Sequence, residues 1–169
     1  MHRMRRALFE SYVRNFIFGV EDSLVSTVGL VSGIALAGVA SRTVILTGLV
    51  LIIVEAFSMA AGSFLSERSG EEFVMQKSVP PMHAIIASLI MFFSYLVSGL
   101  IPLAPYVLIE AEGVATLVSV VVTLAALGAL GVVASRLSHT ASAYRAIQMV
   151  VVGGAAILLG VVVGTFGGI

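Results

Sequence analysis

Residues 43–66, TVILTGLVLIIVEAFSMAAGSFLS, carry one charge, Glu55. At 1.5 Å per residue this run can cross a hydrocarbon core of about 30 Å, which takes roughly 20 apolar residues. Lipid offers the backbone no hydrogen-bond partners, so such a run is expected to be a helix. Four more charge-poor runs lie to either side. The first is free of charge from Ser23 to Ser41, and its helix is expected to begin earlier, near Phe16. In the third, Pro80 and Pro81 open the run and Pro102 and Pro105 close it. The expected spans are about 18–41, 43–66, 82–101, 113–135 and 146–168. Residues 1–15 read as an amphipathic helix lying at the membrane interface. The fold class is therefore all-α, a polytopic membrane protein with five spans in one transmembrane domain, 1–169.

Composition agrees. Hydrophobic residues make up 59% of the chain and charged residues 11%, where a soluble domain has about a quarter charged. Net charge is zero, so no basic patch points to nucleic acid. Cysteine is absent, which excludes disulfides, thiolate metal sites and thiol catalysis. No nucleophile triad, HExxH or glycine-rich phosphate loop is present, so neither an enzyme nor a bound cofactor is expected. The basic start and Ala35-Leu36-Ala37 imitate a signal peptide, but Glu10, Arg14, Glu21 and Asp22 interrupt its apolar core.

Loop charge orients the chain. Arg3, Arg5, Arg6, Arg14, Arg68, Lys77, Arg136 and Arg145 fall on one side and Arg42 alone on the other. The positive-inside rule then places the N-terminus in the cytosol and the C-terminus outside. Gly29, Gly33 and Ala37 flatten one face of the first span, and Gly160, Gly164 and Gly168 one face of the fifth. Such faces let helices approach closely, within a subunit or across a dimer.

An ionisable group inside a span costs about 2.5–3.5 kcal/mol on insertion scales and marks function by default. Glu55 lies roughly 20 Å from Arg42 and about 18 Å from Glu67 along its helix. Asp22 lies about 30 Å before Arg42, near the cytosolic mouth. Met59 follows Glu55 by one turn, and Gly62 and Ser66 extend the same face. Glu67, Glu71 and Glu72 then cluster at the cytosolic end. Carboxylates alone suit hard cations, and a thioether tilts the set toward a softer first-row divalent metal. A carboxylate must lose its proton to bind metal, so protons compete there. Plainer readings stand beside these. Asp22 can cap a helix, Glu55 and Met59 can be packing residues, and Glu67, Glu71 and Glu72 can be a solvated loop. His83 and His139 are single imidazoles near membrane boundaries, with no partner in the sequence.

The same residues resemble the vacuolar iron transporter family. The likeness runs through NFIFGVEDSLVSTVGLVSGIALAG (15–38), EAFSMAAGSFLSERSGEEF (55–73) and SGLIPLAPY (98–106), and on to the Gly-rich last span after Arg145. The resemblance implies a homodimer of five-span subunits that moves Fe²⁺, and also Mn²⁺, out of the cytosol in exchange for protons. It places Asp22, Glu55 and Met59 along the metal path and Glu67 and Glu71 at its cytosolic mouth. The expected home is a prokaryotic inner membrane. Two departures stand out: Asp22-Ser23 where the family has Asp-Gly, and no room between Arg68 and Pro81 for the family's long Glu-rich metal-binding insert. That missing insert motivates a second reading, a membrane scaffold that keeps the transporter fold without transport.

Overall fold

Five helices follow the five apolar runs: α1 (His2–Leu36), α2 (Ser41–Met75), α3 (Met82–Leu108), α4 (Glu112–Ser138) and α5 (Ser142–Gly167). A computed structural model describes the backbone of residues 2–78, 80–138 and 142–167, and the side chains of 8–78, 80–137 and 144–166. Each helix is long and apolar enough to cross a membrane, and no strand occurs among the described residues. His139 and Gly168 lie outside them.

The helix limits differ from the expected spans in four places. Residues 2–15 are helical and run on into the first span without a break. They are the first turns of α1, because no Pro or Gly interrupts the chain before Gly19 and Ser11 and Asn15 are buried against α2. α1 also stops at Leu36, short of Ser41. There Val39 N–H bonds to the Ile34 carbonyl and Gly38 N–H to that of Ala35, the paired bonds of a Schellman cap. Gly38 supplies the left-handed conformation at φ 78°. A Cβ would meet nothing within 4 Å, so Gly38→Ala costs only conformational strain. The expected loss is about 1 kcal/mol, measurable as a lower melting temperature in detergent.

Pro102 and Pro105 are the third difference. They sit inside α3 rather than ending it. Neither has an N–H, so the carbonyls one turn earlier lose their usual donors. Membrane helices tolerate this when neighbouring helices and hydroxyl side chains supply other bonds. Both prolines are buried, and Ser119 Oγ on α4 donates to the Pro102 carbonyl at 2.6 Å. α2, in turn, continues to Met75, so Glu67, Glu71 and Glu72 are helical rather than loop residues.

α1 is the central helix and packs against each of the other four. It runs parallel to α3, with Tyr12 beside His83, Gly19 beside Met91 and Ser23 beside Tyr95. It is also parallel to α5. A Cβ on Gly33 would strike the Gly160 backbone, and Cβ atoms on Gly160 and Gly164 would strike those of Gly29 and Gly33. The two small-residue faces thus meet each other inside one subunit. α2 runs antiparallel to α3, where Ile52 and Ser23 both fill the space beside Gly99. One apolar core joins Val31, Val44, Ile52, Leu103 and Tyr106. A second joins Leu24, Leu127, Leu130 and Met149.

Candidate functional site

Adjacent residues on a helix point about 100° apart, and α1 uses this to separate its two neighbouring acids. Glu21 lies within electrostatic reach of Arg145 on α5, whereas Asp22 is within reach of Glu55 on α2. Both Asp22 and Glu55 are half-buried. Among the described residues neither forms an ion pair. Two carboxylates from different helices therefore face one region of the span with no cation beside them.

Tyr95 on α3 completes this region. It is fully buried, its hydroxyl lies 2.8 Å from Ser26 Oγ, and it is within electrostatic reach of both Asp22 and Glu55. Its carbonyl accepts a hydrogen bond from Ser23 Oγ at 2.7 Å. Ser23 thus fits where the resembled family has glycine because Gly99 opposite leaves space for its hydroxyl. The signal for Tyr95 was present in the sequence: Met91, Ser94, Tyr95 and Ser98 recur at helical spacing along one face of the third span.

Met59 lies closer to the end of the bundle that holds the N-terminal turns of α1. It lines a cavity of about 660 Å³ with Asn15, Ser63, Met91 and Glu67. Glu67 closes this end. Its Oε1 accepts from Ser11 Oγ at 2.7 Å, an Arg14 guanidinium nitrogen at 2.6 Å and Asn15 Nδ2 at 3.0 Å. Ser63 Oγ donates to Asn15 Oδ1 at 2.6 Å. These bonds lock the first turns of α1 onto the last turns of α2.

Glu67 falls 24 residues beyond Thr43, past the roughly 20 that cross the hydrocarbon core. Burial pushes its carboxyl up, but the hydrogen bonds from Ser11, Arg14 and Asn15 and the Arg14 charge outweigh that and hold it below the usual carboxylate range. A lowered folded-state pKa stabilises the fold above the ordinary carboxylate value and loses that contribution as pH falls through the lowered one. Glu67→Gln is therefore expected to melt earlier than wild type at neutral pH. The gap should close in acid, and melting curves across pH 3–7 check the sign.

Glu71 takes a different place. It lines a second cavity with Glu67, Met75 and His83, and its Oε1 lies 3.0 Å from His83 Nδ1. The His83 ring stacks on Tyr12 at 4.9 Å between centroids. His83 is inconspicuous in the sequence, since its partners come from two other helices. The two cavities share Arg14, Ser66 and Glu67.

Of the five residues singled out from sequence, Asp22 and Glu55 form one group, Met59 lies in the next cavity, and Glu67 and Glu71 close the end. Among the described residues no three His, Asp or Glu side chains converge on one point. The arrangement is a series of stations along α1 and α2, suited to passing an ion rather than holding one.

Comparison with known proteins bears on the family. The model of the VIT family matches residues 13–79 and 71–165, two stretches that overlap where α2 ends. Vacuolar iron transporter homolog 5 of Oryza sativa subsp. japonica is 30% identical over an alignment of 156 residues that covers 81% of this chain and 73% of the relative. With five membrane-length helices and acids inside the span, the chain belongs to the VIT family, and that membership points to metal-ion transport.

Proposed function

We propose that the protein exports a divalent metal, Fe²⁺ and also Mn²⁺, from the cytosol by proton antiport across a prokaryotic inner membrane. The N-terminus is cytosolic and the C-terminus lies outside. The observation that carries this reading is the Asp22–Glu55 pair: two carboxylates within a span, within electrostatic reach of each other and, among the described residues, without an ion-pair partner. A metal ion neutralises such a pair, and so do protons. Exchange of one for the other avoids leaving bare charge in the membrane. Metal enters past Glu67 and Glu71, passes Met59, and leaves the Asp22–Glu55 station as protons arrive from outside.

The functional unit in this reading is a homodimer. The small-residue faces no longer argue for it, since they are consumed between α1 and α5. The support is that Asp22 and Glu55 are only half-buried in a single subunit, whereas ionisable groups at this depth face protein or a water-filled cavity. A second copy against α1 and α2 supplies that cover.

Counterflow into proteoliposomes, with Fe²⁺, Mn²⁺, Co²⁺ and Zn²⁺ compared under an imposed pH gradient, tests the reading. Fe²⁺ and Mn²⁺ are expected to exchange faster than Zn²⁺, and to exchange faster with the gradient than without it. A scaffold that retains only the fold moves none of the four.

A further inference from the structure

Met91 is a residue that the transport reading above does not use. It is 3% exposed, on α3, and it lines the same cavity of about 660 Å³ as Met59 on α2. Its sulfur lies against α1 at Gly19, 3.0 Å from where a Cβ would sit. Gly19 is three residues before Asp22, on the same side of α1. The missing side chain at position 19 is therefore what admits the Met91 sulfur to the α1 surface just below the acid pair. Met59 and Met91, from two helices, thus line one space between the Glu67 closure and Asp22. The other polar groups on that wall are Ser58, Ser63, Ser66 and Asn15, with Glu67 and the Arg14 guanidinium paired to it at the cavity's end, and no carboxylate other than Glu67 reaches it.

We propose that Met59 and Met91 form a two-thioether metal station, which selects soft and borderline ions from hard ones before they reach the carboxylates. The proposal rests on the transport reading and adds the source of its selectivity. Mg²⁺, the abundant hard competitor in any cytosol, gives up its water reluctantly and gains nothing from sulfur. Fe²⁺ and Co²⁺ accept thioether donors more readily, and a monovalent soft ion such as Ag⁺ more readily still. Asp22 and Glu55 alone would admit Mg²⁺, and the sulfur pair upstream keeps it out. Methionine is also a common core filler, and that is the alternative which the experiment has to separate.

Leucine matches methionine in size without a donor atom, so Met91→Leu preserves packing. In proteoliposomes Met91→Leu is expected to raise the KM for Fe²⁺ and Co²⁺ about tenfold, to leave Mn²⁺ within about twofold, and to let Mg²⁺ inhibit Fe²⁺ flux where it does not in wild type. X-ray absorption of the full-length wild-type protein with one equivalent of Ag⁺ needs no variant to fold. It should show two sulfur neighbours, falling to one in Met59→Leu or Met91→Leu. An oxygen and nitrogen shell in wild type, or an unchanged KM for Fe²⁺ in Met91→Leu, overturns the proposal. If Met59→Leu and Asp22→Asn lose Fe²⁺ flux while Met91→Leu keeps the wild-type KM, only the station fails. If Asp22→Asn also transports like wild type, the transport reading fails with it.

Discussion

Proteoliposomes carrying Glu55→Gln are expected to take up Fe²⁺ at about one hundredth of the wild-type rate or less, a loss of roughly 2.7 kcal/mol in transition-state terms. Glutamine keeps the size and the hydrogen-bonding capacity of the side chain and removes its charge. Packing around half-buried Glu55 is therefore preserved, and the variant should purify and melt like wild type. Asp22→Asn should behave in the same way, because Asp22 lies within electrostatic reach of Glu55 and neither alone balances a divalent charge. Their double variant should be hardly worse than either single, as expected for groups that work as a unit. Met59→Ala is expected to abolish flux as well, while leaving the fold intact, since Met59 is only partly buried. Tracer uptake alongside a thermal melt of each variant checks both halves. Wild-type uptake in Glu55→Gln and Met59→Ala would remove the site assignment.

The largest expected effect on stability lies elsewhere, at Gly160. A Cβ there would collide with the Gly29 backbone, and backbone cannot rotate away as a side chain does. Gly160→Leu should force α5 off α1 at a cost of about 3 kcal/mol or more, seen as a much lower melting temperature or loss of the folded peak on size exclusion. Gly154 provides the control on the same helix. Nothing lies within 4 Å of its would-be Cβ, so Gly154→Ala should be neutral or stabilising by about 0.5–1 kcal/mol. Equal melting temperatures for the two variants would mean that α1 and α5 do not pack through their glycines.

The five spans were legible because lipid imposes one simple demand, an uncharged run of sufficient length, and Thr43–Ser66 meets it plainly. The limits of α1 and α3 were less so. Pro102 and Pro105 normally stop a helix, and only the structure shows that both are buried within α3, where Ser119 of α4 donates to the Pro102 carbonyl. Gly29 and Gly33 announced a close helix contact but not its partner, which is α5 of the same subunit. Asp22 and Glu55 were found by their cost, since a charge in a span is conspicuous in any sequence. Tyr95, Met91 and His83 were not, because a tyrosine or methionine within a span, or a histidine near its end, costs little. Their significance comes from neighbours on other helices: Ser26 for Tyr95, Met59 for Met91, and Glu71 with Tyr12 for His83. Glu67 was read as a metal ligand from the resemblance. In the structure its Oε1 accepts from Ser11, Arg14 and Asn15, partners on α1 that the sequence does not bring beside it.

The central claim is exchange of metal for protons at Asp22 and Glu55. Vesicles acidic inside and loaded with a pH-sensitive dye, to which Fe²⁺ is added outside under anaerobic conditions, test it most directly. The account predicts that internal pH rises in step with Fe²⁺ entry in wild type, and that both signals vanish together in Asp22→Asn. Fe²⁺ entry with no change in internal pH, or coupled entry that survives in Asp22→Asn, would contradict it.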